Sequence, residues 1–332
     1  MDPVTHLASG ALAGQALRDR VKAPAWLVLL YAMLACWIPD VDNILGLGPE
    51  GYLLYHRGVT HSVFGVAGFG MLLALAFPFV RRRFGWWRAA ALSALLVCVP
   101  IWLDLVTSYG TQLLAPLSRH RFALPSLFII DPGFTLALLI LLGMSWALPA
   151  RRTRLALAGL ALVVFWPLAS LGVRQATATA LPTVMAERGL ESGRVELTTA
   201  PFSPLFWKVV VTHGDTMRTA VVSCVPTASD LDFEVHRRAD QALLESLAAQ
   251  SSLWDTWNWF AAYPTMEERP LPGNGREVTF TDQRFVLQGA AARLLPARRT
   301  PFTITAVLGP DDELQRTVYH HPGRVLHREH PD

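Results

Sequence analysis

A chain of 332 residues that is 52% hydrophobic and 17% charged, with a mean hydropathy of +0.32, is too apolar for an ordinary soluble enzyme and points to a membrane protein. Its net charge is +3, and no Lys/Arg block with interleaved aromatics is present, which argues against a nucleic-acid partner. The three cysteines, Cys36, Cys98 and Cys224, make neither a CxxC motif nor a disulfide framework.

The apolar residues concentrate in residues 1–173, whereas residues 174–332 carry mixed charge and short alternating stretches. The predicted architecture is an α-helical membrane domain of about six apolar helices over 1–173. A smaller soluble α+β domain with an antiparallel sheet follows over 174–332. The N-terminus has no basic region before its first apolar stretch, so no cleaved signal is expected.

In chain order, residues 4–17 are apolar and small, and Gly10 and Gly14 give a spacing that permits close helix contact. This first segment is short for a span. Residues 24–38 form a second apolar run that Pro39 stops, and the longer runs 62–80, 86–103, 132–148 and 155–173 follow. Basic residues lie in alternate connections: Arg18, Arg20 and Lys22; Arg81, Arg82, Arg83 and Arg88; Arg151, Arg152 and Arg154. Six crossings would place all of them in the cytoplasm and would put His6, the 40–61 and 104–131 connections and everything after Arg174 on the opposite face.

That shared face gathers the ionisable residues. His56, Arg57, Thr60, His61 and Ser62 are the polar residues of the heptapeptide 56–62 at the mouth of the third run, and His6, Asp40, Asp42, Asp104 and Asp131 recur at the ends of the others. Histidine and aspartate together suit a zinc or manganese site of one or two ions, with His6, Asp40, Asp42, His56, His61 and Asp104 as candidate ligands. After Pro39 an extended chain would turn Asp40 and Asp42 the same way. His56 and His61 would lie about 140° apart on a regular helix and converge only if the segment bends, which Gly58 allows.

Asp131 followed by Pro132 is explained by helix capping alone, but it is also a candidate general base, as is Asp42. Arg57, Thr60 and Ser62 are candidates either to orient the metal ligands from behind or to orient the phosphate, and Arg57 is also a candidate catalytic residue. Arg119, His120 and Arg121, in a loop bounded by prolines, are candidate contacts for an anionic head group.

In the second domain, residues 194–199, 207–212, 218–224, 278–281, 285–288 and 302–308 read as strands and 239–260 as helix. Trp254, Trp257 and Trp259 are expected in its core in preference to a membrane-interface belt.

The residues Thr5-His6, Ile38-Pro39-Asp40-Val41-Asp42, His56-Arg57-Gly58-Val59-Thr60-His61-Ser62, Asp104-Leu105-Val106-Thr107-Ser108-Tyr109-Gly110 and Asp131-Pro132 resemble a known family. It is that of the YdjM-like, LexA-regulated bacterial inner-membrane proteins, classed with metal-dependent hydrolases. The resemblance covers roughly residues 1–150, and stretches around Trp207-Lys208, 259–264 and Asp282-Gln283-Arg284-Phe285 are similar to the polar domain of some members. It implies a membrane-bound hydrolase of metal type and fixes no substrate. In residue types, though not in sequence, the set is also similar to zinc-dependent phospholipase C and the zinc single-strand nucleases.

The expected function is hydrolysis of a phosphoester in a lipid or lipid-linked substrate by metal-activated water, at the external face of the inner membrane. The alternatives are an ion or proton-coupled transporter, or a non-catalytic scaffold with a structural metal whose polar domain recruits a protein partner.

Overall fold

The computed structural model describes all residues except 46, 190–192, 295–299, 322–323 and 331–332. It divides into two compact units. The first comprises Met1–Gly46, Tyr55–Ala176 and Pro201–Phe206; the second comprises Leu47–Leu54, Thr177–Ala200 and Trp207–Asp332.

The first unit is helical. Asp2 caps α1 (Pro3–Leu17) by accepting from Thr5 N at 3.0 Å, with proline in the first turn, where its missing N–H costs nothing. Gly10 and Gly14 let α1 lie directly on α2 (Ala25–Ala35). A Cβ on Gly10 would stand 2.7 Å from Ala32 O and Met33 Cα, so the helix contact depends on the absence of that atom. A 3₁₀ helix (Ile38–Ile44) follows and, after α3 (Gly48–Tyr55), which belongs to the second unit in all but its last residue, a short 3₁₀ turn (Val59–His61) and α4 (Val63–Ala76). The run expected over 62–80 breaks at Phe77. Pro78 lacks the N–H needed to continue α4 and starts α5 (Pro78–Phe84) in its place.

Next come α6 (Trp86–Leu105), α7 (Pro132–Ala147) and α8 (Arg152–Glu187). The unit boundary falls within α8, so this helix runs several turns past the residue 173 limit of the last apolar segment. Among the described residues, α6 and the stretch Pro149–Glu187 are long and apolar enough to cross a membrane. Two further pairs qualify if each bent pair is one span: Ala25–Ala35 with Ile38–Ile44, bent by 64°, and Gly48–His61 with Val63–Ala76, bent by 61°. Leu12, Leu103, Val106, Leu127, Phe134 and Leu138 form one buried core, and Tyr31, Ala32, Leu73, Ala74, Ala89 and Val97 another.

The second unit holds the described strands β1 (Arg194–Thr199), β2 (Phe206–His213), β3 (Thr216–Ser223), β4 (Glu234–Arg238), β5 (Pro264–Pro270), β6 (Arg276–Asp282), β7 (Thr303–Leu308), β8 (Leu314–His321) and β9 (Arg324–Glu329). They form a single sheet in sequence order, with antiparallel pairing along it. The helical interruption is two helices, α9 (Gln241–Gln250) and α10 (Ser252–Phe260), because Ser251 is extended at φ −154. A short α11 (Gly289–Leu294) follows β6.

Residues 285–288, expected as a strand, are a turn and loop instead. Lys208 Nζ draws the chain aside by donating to Gln283 O at 2.8 Å and Val286 O at 2.5 Å. Trp254 and Trp257 are fully buried against Phe280, and their indole N–H groups donate to Thr317 Oγ1 (2.9 Å) and Phe302 O (2.7 Å). They are core residues. Trp259 is half-buried.

Candidate metal centre

The heptapeptide at 56–62 is shaped by two residues of unusual backbone. α3 ends at Tyr55, and Arg57 then adopts φ 60, a left-handed conformation that a non-glycine side chain rarely takes. At Gly58 a Cβ would stand 2.7 Å from Tyr55 O, so only glycine lets the chain fold back this tightly. The reversal leads into Val59–His61, and Ser62 then caps α4 by accepting from Gly65 N at 3.2 Å. His56 and His61 come to a ring-centroid distance of 6.0 Å as a result. The bend at Arg57 and Gly58 thus brings together two imidazoles that a straight helix would splay apart.

The strained Arg57 is held from both ends. Its N–H donates to Asp42 Oδ2 at 3.1 Å and its carbonyl accepts from Gln112 N at 2.9 Å. Its guanidinium reaches Asp104 Oδ1 at 2.8 Å, Asp104 O at 3.1 Å and Thr107 Oγ1 at 2.8 Å. Local strain of order 1–3 kcal/mol is sustained only by this kind of surrounding overdetermination.

Asp40 and Asp42 do not lie on an extended chain. Pro39 opens the 3₁₀ helix Ile38–Ile44, and three residues per turn set positions i and i+2 about 240° apart. The two carboxylates therefore approach His61 from opposite nitrogens, Asp42 Oδ2 at 3.4 Å from Nδ1 and Asp40 Oδ1 at 3.4 Å from Nε2. Asp42 meets His56 Nδ1 (3.0 Å), Arg57 N and Thr60 Oγ1 (2.9 Å). Asp40 faces His6 and His61.

The centre is made by His6 on α1, Asp40 on the 3₁₀ helix, His61 before α4 and Asp104 near the end of α6, with His6, His61 and Asp104 fully buried and Asp40 6% exposed. His6 Nε2 lies 3.4 Å from Asp104 Oδ1 and 3.7 Å from Asp40 Oδ2. His61 Nε2 lies 3.1 Å from Asp104 Oδ2 and 3.4 Å from Asp40 Oδ1. Each imidazole nitrogen thus approaches one oxygen of each carboxylate.

Among the described residues, none of His6 Nδ1, His6 Nε2, His61 Nε2 or Asp104 Oδ2 makes a hydrogen bond. Buried polar atoms left this way cost about 1–3 kcal/mol each. The four contacts run from two imidazole nitrogens to four different carboxylate oxygens, and His6, Asp40 and Asp104 each offer one ligand atom within 4.8 Å of the others. The residues present therefore fit a divalent transition ion. Three buried carboxylates, Asp40, Asp42 and Asp104, face the cations Arg57 and the Met1 amino group, the latter bonded to Asp104 Oδ1. With the histidines neutral, a metal cation would offset the remaining negative charge; a protonated imidazole would do the same. Two groupings of this set could hold an ion, His6 with Asp40 and Asp104, and Asp40 with Asp42 and His56.

The remaining candidates are placed as follows. Thr60 bridges Asp42 and His61 Nδ1, the latter at 3.0 Å. Ser62 is occupied as the cap of α4 and also donates to Val59 O at 2.8 Å. Asp131 caps α7, accepting from Phe134 N at 3.1 Å and from Ser203 N at 2.7 Å, and belongs to neither ion grouping. Burial raises its pKa from 3.8 to about 6 against these opposing hydrogen bonds. Arg119 and His120 are exposed, and Arg121 Nη2 donates to Tyr109 O and Gly110 O, both at 3.0 Å.

Tyr109 and Thr107 are the site residues that chemistry-based reading of the sequence passed over. The Arg57 and Arg121 guanidiniums lie 4.7 and 4.6 Å from the Tyr109 ring centroid, with the His56 ring 5.4 Å away, and Thr107 holds the Arg57 guanidinium. The available signal was their place in the run from Asp104 to Gly110, directly after the buried acid.

Residues 1–177, more than half of the chain and the whole of this centre, match the model of the YdjM inner membrane protein family. The chain belongs to the YdjM inner membrane protein family. A relative is the uncharacterized protein YfhP of Bacillus subtilis (strain 168), 29% identical over 138 residues, which are 40% of this chain and 42% of that protein. The chain thus covers less than half the length of that relative. No solved structure matches the chain. The YdjM match identifies an inner membrane protein, in agreement with the apolar helices, and its matched region carries the buried His/Asp set that could hold a metal ion.

Proposed function

We propose that this YdjM-family chain is a metal-dependent hydrolase of the inner membrane, acting on a phosphoester of a lipid or lipid-linked substrate. The observation that carries the reading is the set of buried, unbonded imidazole and carboxylate atoms of His6, His61 and Asp104, of which His6 and Asp104 group with Asp40 closely enough to hold an ion. A divalent ion held there, zinc or manganese, would supply a bound water of lowered pKa, and so hydroxide near neutral pH.

The chain's own residues have definable parts in this scheme. Arg57 engages Asp104 Oδ1 and so directs Oδ2 toward His61. Thr107 fixes the guanidinium, and the Tyr109 ring lies against it. Arg121, beside the same ring, and the exposed Arg119 and His120 supply positive charge suited to an anionic head group. Asp131, with its raised pKa, suits proton transfer at mildly acidic pH, although its contacts are those of a helix cap. The basic connections support a multi-pass topology in which Arg81–Arg83 and Arg151–Arg154 are cytoplasmic and the centre and the second unit are periplasmic.

The test uses detergent-solubilised protein, which has no compartments to transport between. Release of phosphate or head group from a panel of phospholipids and lipid-linked phosphates should occur and should stop on chelation. No turnover on that panel, combined with metal-dependent solute flux in proteoliposomes, would replace the hydrolase with a transporter.

A further inference from the structure

Two ligand groupings share Asp40, and they differ in how their atoms are bonded. In the grouping of His6, Asp40 and Asp104, with His61 alongside, His6 Nδ1, His6 Nε2, His61 Nε2 and Asp104 Oδ2 make no hydrogen bond among the described residues, while Asp104 Oδ1 accepts from the Met1 amino group and pairs with Arg57. In the grouping of Asp40, Asp42 and His56, the Asp42 carboxylate is engaged on both oxygens. Oδ1 meets His56 Nδ1 at 3.0 Å, and Oδ2 accepts from Arg57 N at 3.1 Å and Thr60 Oγ1 at 2.9 Å and lies 3.4 Å from His61 Nδ1.

The hydroxyl of Thr60 has one proton to give. An ionised carboxylate only accepts, so that proton goes to Asp42. At its 3.0 Å contact with His61 Nδ1, Thr60 can then only accept, which puts the imidazole proton on Nδ1. A neutral imidazole carries one N–H, so Nε2 is left as a bare lone pair. In the neutral ring that lone pair points at Asp104 Oδ2 (3.1 Å) and Asp40 Oδ1 (3.4 Å), an arrangement relieved by a cation among the three atoms, either a metal ion or a second proton on the ring.

We propose that Asp42 is a positioning carboxylate and not a ligand. Through Thr60 it fixes the tautomer and aim of His61, through Oδ1 it orients His56, and the centre holds one ion per chain, at His6, Asp40, His61 and Asp104. The inference rests on the metal reading above and adds the stoichiometry and the division between ligands and the residues that orient them. The 3₁₀ winding of Ile38–Ile44 is its structural origin, because it turns Asp40 toward the ion and Asp42 away to the hydrogen-bonding shell.

The probe is cobalt(II), titrated into chelator-stripped, detergent-solubilised full chain and read by elemental content and by visible d–d absorption. The wild type should take up one cobalt per chain. Thr60→Val and Asp42→Asn should still take up one, but bind it about 10- to 100-fold more weakly and with a changed d–d spectrum, whereas Thr60→Ser, which keeps the hydroxyl, should match the wild type. The Thr60 pair carries the test if Asp42→Asn fails to fold. Unchanged affinity and spectrum in Thr60→Val overturn the relay while leaving the metal reading intact. Two cobalts in the wild type and one in Asp42→Asn make Asp42 a ligand of a second ion and overturn the assignment. No cobalt in the wild type removes the metal reading itself.

Discussion

Each compact unit buries a carboxylate against an arginine, and the surroundings of the two pairs differ. In the second unit, fully buried Asp282 meets Arg284 Nη2 at 2.6 Å and also accepts from Ala262 N, Tyr263 N and Arg284 N. Arg284 in turn donates to Phe260 O and lies over the Phe260 and Phe285 rings. The network closes on itself and anchors the corner after β6. In the first unit, equally buried Asp104 meets Arg57 at 2.8 Å, yet its Oδ2 and the facing nitrogens of His6 and His61 are unbonded among the described residues. Burial and ion pairing are common to both. What separates the two is the set of unbonded atoms in the first unit, beside groups that could hold an ion.

The largest expected effect tests the ligand side of this contrast. His61→Ala should abolish retention of a transition ion through purification, measured by elemental analysis, while Arg284→Met leaves the metal content at the wild-type level. Equal metal content in both variants would erase the distinction between the two networks.

The structural side is tested next. Arg284→Met leaves Asp282 buried without its countercharge and should lower stability by about 3–5 kcal/mol, read from thermal unfolding of the full chain in detergent. A change below about 1 kcal/mol would mean that the Asp282 backbone bonds suffice without the arginine.

Lys208 offers a smaller effect that depends on pH. Its ammonium is buried, which lowers its pKa from 10.5 to about 7, and its Nζ bonds only backbone carbonyls in the contacts described above. Between about pH 7 and 10.5 the unfolded chain holds a proton that the folded chain has released. Stability should therefore rise with pH across that window, and Lys208→Met should flatten the rise. An identical pH dependence in the two proteins would show that Lys208 stays charged when folded.

The smallest effect concerns Asp131. Its folded pKa of about 6 lies above the ordinary 3.8, so the folded chain binds the proton more tightly and stability should fall as pH rises from about 4 to about 6. Asp131→Asn keeps a side chain that caps helices well and should remove this slope with unchanged metal content. Loss of metal in this variant would bring Asp131 into the centre.

Much of the architecture was legible because its signals are local. Runs of apolar residues marked the helical region, and alternation marked β1, β2, β3, β6 and β7. β4 carries exposed charge on most positions, and β5 begins and ends in proline, so neither shows the alternating pattern of a half-buried strand. At the site, Gly58 disclosed that the two histidines could converge, because a bend there needs a residue without Cβ. The divergence of Asp40 and Asp42 was not legible. Proline ahead of Asp-Val-Asp is compatible with extended chain or with a 3₁₀ turn, and only the long-range partners His6, His56 and Thr60 select the turn. The pairing of Arg57 with Asp104, 47 positions apart, has no local signature.

The central claim, that His6, Asp40, His61 and Asp104 form a metal centre, is tested most directly by X-ray absorption at the zinc edge on purified protein reloaded with zinc. The account predicts one zinc per chain in a shell of nitrogen and oxygen only, at about 2.0–2.1 Å, with the outer-shell scattering of two imidazoles. A sulfur shell near 2.3 Å, which would implicate Cys36, Cys98 or Cys224, or zinc no more abundant than in His61→Ala, would contradict it.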